Sequence, residues 1–423
     1  MLTSFFPQIF TIVALAALWL LIAIWLVTLN RQWWAIHGVR RALWITPLVG
    51  GVVVAVWALG SAARLGWLIS ISSGISAVVL TLTIALAVSL PFSGGVLTIE
   101  RLVRWIIAKR KKNQITTAPL IVDSNITSPN LPGSAPDRGR RSFVTGAAVT
   151  IPAVTFASAG FGLLSSHGAV RMPEMEMRFP DLHPALEGLR ILHLSDIHIG
   201  NYVDLDDLEK IMDAAQSTRP DLVLVSGDIS DDVAMLPDAL RLIAGLKTKY
   251  GTFASLGNHE YFRGIQQIVR IIDAGPIPLL RSSGTSIAIG GGALYIGGAD
   301  DPVMMGQRER NHAFLQRSVR AAFDGAPSDA FHLLMSHRPE GLDVAVEERI
   351  PFTVAGHTHG AQVGFNGRSV LEPWMPKNYL WGHYRKDGSQ LYTSSGVGHW
   401  FPFRLGCPPE APLYVLRKDA GMG

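Results

Sequence analysis

A chain of 423 residues, 48% of them hydrophobic and 17% charged, with positive mean hydropathy, is too long for one small domain and too apolar for an ordinary soluble enzyme. Its net charge of +4 conceals an asymmetry: residues 1–165 hold 13 Lys and Arg against 3 Asp and Glu, a net of +10, and the remainder holds 24 against 30, a net of −6. The basic balance belongs to the apolar half, so nucleic acid is not needed to explain it.

Three runs, Ile9–Leu29, Leu43–Leu59 and Trp67–Leu90, are near-continuously apolar, and each is long enough to cross ~30 Å of hydrocarbon as a helix. They make residues 1–112 a region of three transmembrane spans with a basic end. Arg31, Arg40 and Arg41 follow the first span, Arg64 alone follows the second, and Arg101, Arg104, Lys109, Arg110, Lys111 and Lys112 follow the third. Lys and Arg are retained on the cytoplasmic side, which places the first and third flanks inside and the N-terminus outside. No ionisable side chain interrupts the spans, which favours an anchor over a transport pathway.

Residues 113–142, rich in Pro, Ser, Asn and Thr, read as a disordered linker. Arg140-Arg141 then precedes a weakly apolar Ala/Gly/Thr-rich segment over 143–165. Two readings stand: a fourth span with a basic flank, or a twin-arginine-like signal anchor that would engage the twin-arginine translocase. Both carry residues 166–423 outward. Ala157-Ser158-Ala159 resembles a small-residue cleavage site. The single cysteine, Cys407, excludes an internal disulfide, so an exported domain relies on its core or on bound metal.

From Leu189 the pattern becomes α/β. Leu189–Leu194, Leu222–Ser226, Thr252–Leu256, Phe331–Met335 and Phe352–Ala355 predict short buried strands. A helix with Leu205, Leu208, Ile211, Met212 and Ala215 on one face follows the first, with Asp204 as its N-cap, and a second helix is predicted around Ile265–Ile272. The polar residues fall at the strand exits. Ser195-Asp196-Ile197-His198, Gly227-Asp228, Gly257-Asn258-His259-Glu260, Ser336-His337 and Gly356-His357-Thr358-His359-Gly360 follow the five strands in turn. Strand C-termini in α/β sheets open into a shared crevice, so these groups should converge. Oxygen and imidazole donors without thiolate suit Mn, Fe or Zn, and seven donors suit two ions sharing a carboxylate. Such a pair clamps the attacking and leaving oxygens of a phosphoryl group.

The five blocks, in this order, resemble the signature of the calcineurin-like metallophosphoesterase superfamily, and the likeness runs from Leu189 to about Arg417. The Gly-His-Thr-His-Gly-Ala-Gln run and Arg404…Pro408-Pro409-Glu410 look closest to the membrane-associated or exported bacterial YkuE-like branch, related to UDP-2,3-diacylglucosamine hydrolases. The resemblance implies a two-sheet β-sandwich flanked by helices over 166–423. It implies that Asp196, His198 and His359 hold one divalent metal, that Asn258, His337 and His357 hold the other, and that Asp228 bridges both. His259 would contact the phosphate or protonate the leaving oxygen, after in-line attack by a bridging hydroxide. The expected function is a phosphodiesterase or pyrophosphatase outside the cytoplasmic membrane, acting on an envelope lipid or lipid-linked phosphoester. A phosphatase for soluble nucleotides or phosphomonoesters, and a non-catalytic metal-binding module, stay open as alternatives. Ala361, His399 and Trp400 depart from the branch without removing a ligand. The aromatics Trp374, Tyr379, Trp381, Tyr384, Trp400, Phe401 and Phe403 either pack the C-terminal strands or form a lip that meets the bilayer.

Overall fold

The computed structural model describes residues 6–29, 34–63, 66–116, 138–200, 202–303 and 307–419. The chain divides into two compact units, Met1–Phe161 and Gly162–Gly423.

The first unit is helical: α1 (Phe6–Leu29), α2 (His37–Ala63), α3 (Gly66–Thr116) and most of α4 (Arg138–Ser166). Ile22 and Leu26 of α1 and Leu90 of α3 form a small buried cluster. Among the described residues, two helical stretches are long and apolar enough to cross a membrane, Gly74–Arg110 and Gly146–Ser166. The helical boundaries differ from those expected. Helix α3 does not stop at Leu90 but runs through Pro91 to Thr116. Residues 113–116 and 138–142, expected as linker, are helical, as the ends of α3 and α4. The rest of that expected linker, 117–137, lies outside the described residues.

The second unit is a mixed α/β sandwich. Its strands are β1 (Glu174–Phe179), β2 (Arg190–Leu194), β3 (Leu222–Ser226), β4 (Thr252–Ser255), β5 (Ser283–Ile289), β6 (Gly292–Gly298), β7 (Phe331–Met335), β8 (Phe352–Ala355), β9 (Gly364–Phe365), β10 (Arg368–Ser369), β11 (Gly382–Lys386), β12 (Ser389–Thr393) and β13 (Leu413–Lys418). One sheet has the order β1-β13-β2-β3-β4 and the other β11-β12-β8-β7-β6-β5, with β9 and β10 as a separate hairpin. The site-bearing strands β2, β3 and β4 run parallel in the first sheet, and β7 and β8 run parallel in the second.

Side chains alternate across a strand, so both faces of each central strand are apolar. Ile191, Leu222, Leu224 and Tyr414 of the first sheet meet Leu294, Leu333, Met335, Phe352 and Val354 of the second in one buried layer. Leu192, Leu194, Val223 and Val225 point the other way, into a second layer under α5 (Leu205–Ser217), α6 (Leu236–Ala244) and α7 (Asn258–Asp273). The outer face of the second sheet is covered by α8 (Arg308–Ala322) and α9 (Gly341–Glu347), through Leu315, Val319, Val344 and Ala345. The predicted helix after β2 is α5, and Asp204 caps it by accepting from Asp207 N at 2.8 Å. The helix expected at Ile265 begins earlier: α7 starts at Asn258 and bends at Gly264, where φ is +109°.

Candidate metal centre

Each expected ligand leaves the C-terminal end of a strand within four residues. Asp196 and His198 follow β2, Asp228 follows β3, Asn258 follows β4, His337 follows β7, and His357 and His359 follow β8. The centre therefore straddles the ends of both sheets. Five of these residues, Asp196, His198, Asp228, His357 and His359, have φ between +48° and +71°. That left-handed conformation costs a non-glycine residue about 1–2 kcal/mol. It persists because backbone bonds hold the turns together: Asp196 N donates to Gly227 O at 3.1 Å, His198 N to Asp228 O at 3.0 Å, and Gly356 N to His337 O at 3.0 Å. The motif glycines serve space. A Cβ at Gly257 would overlap Asp228 Oδ1, and one at Gly356 would overlap Asp196 Oδ2.

The seven side chains converge as two groups around one carboxylate. The ligand atoms of Asp196, His198 and His359 lie within 4.8 Å of one another, and so do those of Asp228, His337 and His357. Oδ2 of Asp228 sits between the groups, 3.2 Å from His337 Nε2 and 3.7 Å from His198 Nε2. Asn258 Oδ1 lies 3.3 Å from His337 Nε2. Nearly every one of these side chains is buried, and buried charges require a partner.

Hydrogen bonds behind the rings decide which nitrogen faces inward. His337 donates Nδ1–H to Ser226 O at 2.8 Å, and His198 donates Nδ1–H to Asp231 Oδ2 at 3.2 Å. Both rings thus turn Nε2 to the centre. His359 is held differently: Arg404 donates Nη2–H to its Nδ1 at 3.2 Å, and its Nε2 lies 3.2 Å from His198 Nε2 and 3.4 Å from Asp196 Oδ1. Burial, then the Arg404 guanidinium, hold His359 well below the usual histidine range, and burial, then His337, do the same to His357. Burial also works against a charge on His337, yet the Asp228 carboxylate prevails and lifts it to about 10. The donor set fits two divalent cations: mixed oxygen and imidazole donors, no thiolate, a shared carboxylate and buried negative charge.

His259 stands at the rim. Its backbone N–H donates to Asp228 Oδ1 at 2.9 Å, and its Nδ1–H to Asp231 Oδ1 at 2.6 Å, leaving Nε2 3.9 Å from Asp228 Oδ2. Asp231 thus orients both His198 and His259. Burial opposes its charge, but the hydrogen bonds from these two rings hold its carboxyl well below the usual carboxylate range. Sequence reasoning missed Asp231, which belongs to no strand-exit block. Glu260 caps the start of α7 and does more besides. It accepts from Gly257 N at 2.7 Å at the start of α7, and also from Asp228 N at 2.9 Å and Ile229 N at 2.8 Å, tying the β3 and β4 exits together. His193 backs no ligand: its ring lies 2.9 Å from Tyr414 Oη and 2.7 Å from Ser226 Oγ. The aromatics divide. Trp381 is buried and donates to Glu410 Oε1 at 2.9 Å, whereas Trp374 and Trp400 are 76% and 52% exposed.

Two sheets deliver seven oxygen and imidazole donors to one rim, around one carboxylate, an arrangement that suits a metal-dependent phosphoesterase domain. The family model of the calcineurin-like phosphoesterases matches residues 189–361, and the second unit belongs to that superfamily. The chain is 28% identical over 236 residues to a metallophosphoesterase of Helicobacter pylori, a match covering 55% of this chain and 60% of that one. It is 24% identical over 295 residues to the metallophosphoesterase YkuE of Bacillus subtilis, covering 66% of this chain and 98% of YkuE. It is also 24% identical over 274 residues to a transmembrane protein with metallophosphoesterase domain from Danio rerio, covering 63% of this chain and 61% of that one.

Proposed function

We propose that the chain is a two-metal phosphoric ester hydrolase anchored in the cytoplasmic membrane, with its catalytic unit outside. The observation that carries the reading is the central position of Asp228 Oδ2 between two histidine-rich groups. Asp196, His198 and His359 would hold one cation, Asn258, His337 and His357 the second, and Asp228 both. When bound, two divalent cations supply Lewis acidity and positive charge to a phosphoryl group. The protein's own part is positional. The turns after β2, β3 and β8 keep the donors rigid. Asp231 fixes the His259 ring so that Nε2 can deliver a proton to the leaving oxygen.

The preferred substrate is a phosphodiester or pyrophosphate of an envelope lipid. Two observations support membrane placement: the helices Gly74–Arg110 and Gly146–Ser166, and the charge asymmetry between the halves of the sequence. The twin-arginine-like pair at Arg140-Arg141 fits export of the second unit.

The test is hydrolysis of bis(p-nitrophenyl) phosphate and p-nitrophenyl phosphate by the detergent-solubilised full chain, metal-free and then with Mn, beside Asp228→Asn. The reading expects Mn-dependent turnover that the variant loses, with the diester preferred. A folded protein that binds two ions and turns over neither ester would remove it.

A further inference from the structure

The loop that supports the metal centre also lines a second cavity. Gly398 N donates to Asp196 O at 2.8 Å, and Val397 N to Ser195 O at 2.9 Å, so this loop is fastened to the first ligand turn. The next residue, His399, faces a cavity of about 380 Å³ that it lines with His167, Tyr202, Val203, Ile211 and Val397.

His399 is only 4% exposed, yet neither Nδ1 nor Nε2 has a hydrogen-bond partner. Its polar neighbours meet it as rings: His167 edge-on at 5.7 Å and Tyr202 tilted at 5.9 Å. The contrast with His193, equally buried but paired at both nitrogens, is direct. Leaving buried polar atoms unpaired is costly, so such a ring is a recognition element awaiting its ligand. Burial, then the Arg404 and His167 charges, hold the ring down to about 3, which keeps it neutral. A neutral imidazole offers one donor and one acceptor. That pairing suits hydroxyl groups and does not suit a phosphate anion, which calls for donors and positive charge. Lys210 on the cavity wall pairs with Asp207 at 3.2 Å. Val203, Ile211 and Val397 supply an apolar wall for a carbon skeleton.

We propose that this cavity binds the polyol portion of the substrate, a glycerol- or sugar-like group with neighbouring hydroxyls, with His399 accepting a hydrogen bond from one hydroxyl and donating to the next. The inference rests on the hydrolase reading above for the phosphoryl group that the same molecule presents to the metal centre. The polyol can belong to a lipid headgroup or to a free diester, and the chemistry at His399 is the same. The cavity wall begins at Ser166 and His167, where α4 ends.

The test uses the solubilised full chain with three probes: glycerophosphoglycerol, phosphatidylglycerol vesicles and bis(p-nitrophenyl) phosphate, which has no hydroxyl. His399→Phe should lower the ratio of kcat/KM for the glycerol ester over that for the nitrophenyl ester about tenfold, as loss of about 1.4 kcal/mol of hydrogen bonding requires. His399→Gln, which keeps a donor and an acceptor, should recover part of that ratio. In metal-free protein labelled with 15N-histidine, glycerophosphoglycerol should shift the His399 ring signals saturably, a readout that needs no turnover and no variant. A ratio and ring signals that stay unchanged with both glycerophosphoglycerol and phosphatidylglycerol vesicles would overturn the proposal. Saturable shifts in a protein that hydrolyses none of the esters would sustain the cavity and remove the hydrolase reading instead. Both effects confined to phosphatidylglycerol vesicles would assign the polyol to a lipid; effects with both glycerol probes would assign it to the diester headgroup wherever it resides.

Discussion

The Asp231 carboxylate lies 2.6 Å from Nδ1 of His259, and its other oxygen lies 3.2 Å from Nδ1 of His198. One side chain thus orients the rings of His198, a proposed metal ligand, and of His259, the proposed proton donor to the leaving oxygen. Asp231→Asn removes the charge and one acceptor while keeping the shape. General acid–base contributions are about 10²–10⁴-fold, so kcat should fall at least ~100-fold with a smaller change in KM. Affinity for the first cation should fall about 10–100-fold, because the His198 ring loses the acceptor behind it. Steady-state kinetics and metal titration of the same preparation check both. A variant with wild-type kcat and metal affinity would show that Asp231 only packs.

Arg404 is fully buried and donates to Ser395 O at 2.6 Å, Gly398 O at 2.6 Å and His359 Nδ1 at 3.2 Å. Arg404→Met should destabilise the folded chain by about 3 kcal/mol or more, because buried acceptors lose their charged donor. It should also weaken the first cation site through His359. Chemical denaturation with and without Mn reads the two losses separately.

His359, Gly360, Ala361 and Gln362 are four successive left-handed residues, with φ of +52° at Ala361. A glycine there would relieve the Cβ strain. Ala361→Gly should raise stability by up to about 1 kcal/mol, the left-handed penalty less the greater chain entropy of glycine. A shift of the urea midpoint to higher concentration at constant slope is the expected result; a lower midpoint would mean that the turn is not strained.

Burial, then the nearby His337 charge, press His193 down to about 3, against an ordinary value near 6.5. Between these pH values the unfolded chain binds a proton that the folded chain does not, so stability falls as pH falls. The contribution is fully present above about pH 6.5 and is lost toward pH 3, at up to about 1.4 kcal/mol per pH unit. His193→Gln, able to bond Ser226 and Tyr414 without titrating, should flatten the acid limb of the urea midpoint against pH. An unaltered limb would exclude His193 as its source.

The strands and the five polar blocks at their exits were legible from sequence because each is local: a buried strand is a short apolar run, and a ligand turn follows it within a few residues. That locality also fixed Asp204 as a helix cap. Asp231 and Arg404 were not legible as site residues, since each acts through a ring far away in the chain or on another element. Only the sandwich decides that Asp228, from the first sheet, stands between His198 and His337, from different sheets. The same holds for His399, whose burial beside His167, 232 positions earlier, turns an ordinary loop residue into an unpaired recognition group. Sequence specifies which donors the chain carries and on which turns. Their pairing, charge and exposure follow from long-range packing, because hydrogen-bond partners and desolvation are properties of neighbours in space.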